Sequence, residues 1–133
     1  MRKAFSKGSP LENQIGFSRA IQVGSHLAIS GTAPIGPSGE TIGKGNLYLQ
    51  TRRCLELIID VAREAGFDHS TVVRTRLLLV DIVQWEQAAR AHREVFSGVA
   101  PTCTFVEVSR FIDEHWLVEI EADCIRGGHV RNT

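Results

Sequence analysis

An α+β fold, a mixed β-sheet with two helices packed on one face, is predicted by three features of the sequence. Five short stretches alternate in the period of two that a strand requires. Two longer stretches repeat apolar residues with the helical period. Clusters of glycine, proline and serine separate them. In chain order the elements read β-β-α-β-α-β-β, and 133 residues suffice for one ordinary domain with one core.

Residues 1–14 are polar and contain Gly8 and Pro10, so an irregular arm is expected there. Phe17–Val23 is the first strand, Gly24-Ser25 a two-residue turn, and His26–Ser30 the second strand of a hairpin. Gly31–Gly45 reads as a loop with a turn near Pro37-Ser38-Gly39, its glycines leaving backbone amides open to a ligand. Asn46–Ala65 is the clearest helix. Leu47, Thr51, Cys54, Ile58, Val61 and Ala65 form one stripe, Asn46 is placed to accept from the first free amides, and Gly66 sits where a helix-ending glycine belongs. Val72–Val80 is a strand with Arg74 and Arg76 on one face and Val73, Thr75, Leu77 and Leu79 on the other. Gln84–Phe96 is the second helix, with Trp85, Ala88, Ala89, His92 and Phe96 on one stripe.

The stretch Pro101–Asp123 supplies the last two strands. Thr104, Val106 and Val108 are expected inward, with Val118, Ile120 and Ala122. The opposite face is expected to carry Glu107, Glu119, Glu121 and Asp123, with Cys103 and Phe105 near its start. A helix-free face bearing these acids, Phe105 and the two arginines suits an interface between subunits. The competing reading is cross-strand pairing at the surface, worth little per pair. Residues 127–133 are expected as a frayed tail.

Net charge is zero, which argues against a large electrostatic footprint for nucleic acid or membrane. No apolar run is long enough to span a bilayer and the N-terminus lacks a hydrophobic signal core, so the expected location is cytoplasmic. Cys54, Cys103 and Cys124 form no C-x-x-C pair, and the five histidines lack metal-ligand spacing. No metal site is expected.

Several motifs, in order, carry a resemblance. Gly16-Phe17-Ser18-Arg19-Ala20, Ser30-Gly31-Thr32-Ala33-Pro34, Thr51-Arg52-Arg53-Cys54-Leu55, Val106-Glu107-Val108 and Val118-Glu119-Ile120-Glu121-Ala122 resemble the RidA/YjgF family, also labelled L-PSP endoribonucleases. The similarity covers about Gly16 to Asp123. It implies a chorismate-mutase-like fold, a homotrimer, and clefts lined from two chains. It also implies hydrolysis of enamine and imine intermediates to keto acids and ammonia, without metal or cofactor. By the resemblance, Glu119 matches the glutamate that orients the attacking water, Ser30 the serine of the S-G motif, and Phe17 the active-site tyrosine, without its hydroxyl. Cys103 stands where the deaminases carry the arginine that binds the substrate carboxylate. A thiol cannot offer two parallel charged donors, and each lost charged hydrogen bond forfeits about 1.5–3 kcal/mol.

With the resemblance, the residues support a protein that handles a small metabolite with Glu119 as the catalytic general base or water-positioner and Phe17, Ser30, Cys103 and Phe105 as substrate-binding walls. The chemistry would be deamination or a related hydrolysis with a changed substrate. The alternative is a non-catalytic small-molecule binder or sensor on the same trimer; RNA cleavage stands third, against the neutral charge. Considered alone, Glu119 would be a solvated or arginine-paired glutamate. Cys103 has no base among its sequence neighbours to make it a nucleophile. His92, on an apolar stripe, reads as a packed residue.

Overall fold

The computed structural model describes residues 1–127. These contain strands β1 (Arg2–Phe5), β2 (Ala20–Val23), β3 (His26–Thr32), β4 (Val72–Leu79), β5 (Thr102–Glu107) and β6 (Val118–Ile125), with helices α1 (Pro10–Ile15), α2 (Leu47–Glu64) and α3 (Trp85–Phe96). All six strands form one sheet in the order β1-β2-β3-β6-β4-β5. Only β4 and β5 run parallel, joined by the α3 crossover; the other pairs are antiparallel. The α+β class and the mixed sheet are as the sequence predicts.

The core lies between one sheet face and the helices. On α2, Leu47, Thr51, Cys54, Ile58 and Val61 are buried as the stripe requires, joined by Gln50, Leu55 and Ala62. They meet Leu27, Leu77, Leu79 and Ile120 from the sheet. The Asn46 side chain accepts from Leu49 N at 2.9 Å, which caps α2. Gly66 follows α2 at φ 84°, left-handed backbone that favours glycine. Gln50 stitches this layer to the sheet's entry. Its amide donates to the Gly43 and His115 carbonyls at 3.3 and 2.9 Å, and its carbonyl accepts from Leu117 N at 2.8 Å.

The N-terminal arm is a correction. Arg2–Phe5 pairs with β2 as an edge strand, and Pro10–Ile15 is a helix. The signal was present: Ser9-Pro10-Leu11-Glu12 is a capping box with proline at the first helical position, and both reciprocal bonds form.

The faces of β5 are a second correction. Register pairs Cys103 with Thr75, Phe105 with Leu77 and Glu107 with Leu79, so these three face the helices. Phe105 meets the Trp85 ring edge-on at 6.4 Å, and Glu107 Oε1 accepts from Ile82 N at 3.0 Å. Thr102, Thr104 and Val106 lie instead on the open face beside Arg74 and Arg76. Period-two alternation separates two faces but does not say which is inward. In an edge strand both are partly exposed, and only the neighbouring strand decides.

The acidic residues of β6 do lie on the open face, opposite Arg74, Arg76 and Leu78. There the charges pair within the chain, Arg74 Nε–Asp123 Oδ2 at 3.7 Å and Arg76 with Glu121, and His26 Nε2 lies within hydrogen-bond distance of Asp123 Oδ1 at 3.2 Å. A register shift in β4 between Val72 and Arg74 buries Val72 and leaves Val73 exposed, against the expected alternation. Within the expected tail, residues 128–133 lie outside the described residues.

Candidate functional site

Gly16 ends α1 in the left-handed region, φ 86°, and turns the chain into Phe17-Ser18-Arg19. Arg19 N donates to Phe5 O and Ser30 N donates to Arg19 O, so this segment extends the β2–β3 hairpin. The hairpin meets β6 irregularly. Ile29 pairs with Ala122 and Thr32 with Ile120, so β3 carries one residue more than β6 across that interval. The extra residue makes a bulge at Ser30-Gly31. Bulges bend a strand and re-aim its side chains.

The bulge opens a cleft of about 370 Å³ whose walls include Phe17, Arg19, Ser30, Gly31, Trp116 and Glu119. Apolar walls with a few convergent polar groups are what a small-molecule site needs. A more open depression of about 650 Å³ lies between Gly39–Lys44 and Ile112–His115, but it is a polar surface among loops.

Glu119 dominates the cleft. Its Oε1 lies 2.8 Å from the position a β-carbon on residue 31 would occupy, so the carboxyl rests against bare backbone. Burial raises its pKa, the negative charge of Glu121 adds to the rise, and the positive charge of Arg19 opposes it. A carboxyl whose pKa is raised is a stronger base for a water proton than an ordinary carboxylate.

Arg19 sits opposite. Its Nη1 donates to Ser30 Oγ at 3.4 Å and its Nη2 to Thr32 Oγ1 at 3.0 Å. Burial lowers its pKa, against the opposing negative charges of Glu12 and Glu119. Ser30 Oγ donates in turn to Arg19 O at 3.1 Å. Glu12, buried at the cleft wall, accepts from Ser6 Oγ, Lys7 N and Ser9 N at 2.6, 3.1 and 3.2 Å. Burial pushes its pKa up, but these bonds and Arg19 outweigh that and hold it low.

One chain thus brings Phe17, Ser30 and Glu119 together. Cys103 and Phe105 are not with them; they stand on the helix side of edge strand β5. Partial withdrawal of the Cys103 sulfur from water beside Thr75 raises its thiol pKa, in part offset by a hydrogen bond with Thr75, so no thiolate is favoured there. Thr75 Oγ1 also contacts His92 Nε2 at 2.9 Å, and burial lowers the His92 pKa, which suits a packed neutral imidazole. Among the described residues, no three His, Cys, Asp or Glu side chains converge as metal ligands. No helix there is long and apolar enough to cross a membrane.

Sequence reasoning missed Arg19, Glu12 and Gly31 as site residues. Arg19 and Gly31 lie inside the motifs quoted above, but an arginine in a strand pattern reads as surface. Only the bulge shows why glycine is needed beside Glu119.

Known proteins resemble this chain in sequence and in fold. A family model described as Endoribonuclease L-PSP matches residues 9–125. A RutC family protein of Sulfurisphaera tokodaii is 35% identical over 111 residues, 84% of this chain and 88% of that protein. The 2-iminobutanoate/2-iminopropanoate deaminase of Mus musculus is 26% identical over 115 residues, 86% of this chain and 84% of that protein. The crystal structure of Rv2704 from Mycobacterium tuberculosis, of the YjgF/YER057c/UK114 family, superposes with a TM-score of 0.86 at 33% identity. It covers 95% of this chain and 100% of that one.

Proposed function

Because this chain belongs to the endoribonuclease L-PSP family of YjgF, RidA and RutC proteins, we propose that it hydrolyses a small enamine or imine in clefts completed between the subunits of a cytoplasmic homotrimer. The observation that carries this reading is Glu119: a carboxyl of raised pKa, resting on the Gly31 bulge of a partly apolar cleft. An enamine first tautomerises to the imine. Glu119 takes a proton from a water molecule as that water's oxygen bonds to the imine carbon. It returns the proton to nitrogen, giving the carbinolamine; the hydroxyl proton then passes to nitrogen through the same carboxyl as the C–N bond breaks, leaving a carbonyl compound and ammonia. Phe17 forms an aromatic wall and Ser30 a polar one.

Cys103 and Phe105 enter this reading from a second subunit. They face away from Glu119 in their own chain, and β5 is an edge strand with Thr102, Cys103 and Thr104 exposed. The mouse relative's printed name is that of a deaminase; Cys103 in place of the deaminase arginine makes a slow catalyst of 2-imino acids. That same substitution favours a second reading, a non-catalytic binder. Ammonia release from freshly generated imino acids, lost in Glu119→Gln, separates the two.

A further inference from the structure

We infer that Arg19 is the anion anchor of the cleft and that the ligand it receives is a small carboxylate. The inference rests on the reading of the cleft as a small-molecule site and assigns the missing charge recognition to a residue of the same chain. Arg19 lines the cleft, yet among the described residues no carboxylate oxygen lies within 4.0 Å of its nitrogens. Arg52, Arg53, Arg74 and Arg76 each have such a partner. The side-chain bonds of Arg19 go to two neutral hydroxyls, on Ser30 and Thr32, and these leave further N–H groups of the guanidinium unspent.

The two nearby acids do not cancel its charge by contact. Glu12 is committed to Ser6, Lys7 and Ser9. Glu119 is held above its ordinary pKa, so it carries negative charge less readily than a solvated glutamate. Lys7, the other cation lining the cleft, lies 3.5 Å from Glu64. A guanidinium withdrawn from water without an ionic partner is costly, and a bound anion would relieve that cost. A guanidinium with N–H groups to spare fits a ligand rich in acceptors. The cleft's volume, about 370 Å³, fits a small one. The planar fork of a guanidinium matches a carboxylate in two parallel bonds.

The test is titration of the whole protein by calorimetry or NMR with 2-oxobutanoate and with its uncharged amide. The acid should bind at least about tenfold tighter than the amide, about 1.4 kcal/mol. Arg19→Gln should erase that preference. Arg19→Lys keeps the charge without the fork and should cut it several-fold, which carries the test should Arg19→Gln misfold through Ser30 and Thr32. Equal binding of acid and amide by the unaltered protein, or an undiminished preference in either variant, overturns the inference. A carboxylate preference that depends on Arg19, in a protein releasing no ammonia, supports the anchor and removes only the hydrolase reading. Glu119-dependent ammonia release without a carboxylate preference removes only the anchor.

Discussion

Glu119 and Gly31 occupy each other's space: Oε1 of the glutamate lies 2.8 Å from where a β-carbon on the glycine would stand. No real β-carbon tolerates that approach, so the carboxyl keeps its place only while residue 31 has no side chain. Gly31→Ala should push the carboxyl aside. The clashing atom is the tip of a flexible side chain, so stability should change by less than about 1 kcal/mol. Ammonia release should nevertheless fall about tenfold or more, because the water is no longer positioned. Thermal melts and the ammonia assay on one preparation check both halves; full activity in the variant contradicts the role given to the bulge.

Glu119 also links the site to stability. Folding raises its pKa above the ordinary 4.5, so the folded chain holds that proton more tightly than the unfolded chain does. Ionised Glu119 therefore costs stability. The cost is absent below the unfolded pKa, grows as pH rises toward the folded pKa, and stays constant above it. Glu119→Gln removes the cost. The variant should melt higher than the unaltered protein at pH 7, and the gap should close as pH falls below 4.5. A gap independent of pH contradicts the raised pKa.

Gln50 joins the loop before α2 to the entry of β6 through three hydrogen bonds to backbone groups. Gln50→Leu fits the apolar surroundings but leaves those groups without partners, at about 1–3 kcal/mol for each one kept from water. Urea unfolding should show a loss of at least about 2 kcal/mol. An unchanged midpoint contradicts the bonding pattern.

Light scattering should give three times the chain mass at micromolar concentration. The open sheet face carries exposed Val23, Val106 and Ile125 beside charges already paired within the chain, a surface suited to burial against another copy. A single-chain mass contradicts both the trimer and the contribution of Cys103 from a second subunit.

The helices and central strands were legible because their periodicity is carried by residues buried on one side only: Ile58 and Val61 on α2, Leu77 and Leu79 on β4. The orientation of β5 was not, because Cys103, Thr104 and Val106 are all exposed and alternation there has no inward side to mark. The N-terminal strand was hidden by its own composition. Arg2, Lys3 and Ala4 are exposed on a sheet edge, and Phe5 is its one buried residue. Three walls of the cleft, Phe17, Ser30 and Glu119, were found through motifs. Arg19 was passed over because a charged residue in a strand pattern is ordinarily solvated, and its burial depends on a bulge made by pairing with a strand about 90 residues further along.

The account stands most directly on one comparison: ammonia release from freshly generated 2-imino acids, measured by semicarbazide competition, in the unaltered protein, Cys103→Arg and Glu119→Gln. The unaltered protein should be slow. Cys103→Arg should gain about tenfold or more in kcat/KM as a second guanidinium grips the carboxylate, and Glu119→Gln should lose the activity in both backgrounds. An unaltered protein as fast as Cys103→Arg, or activity indifferent to Glu119→Gln, would contradict it.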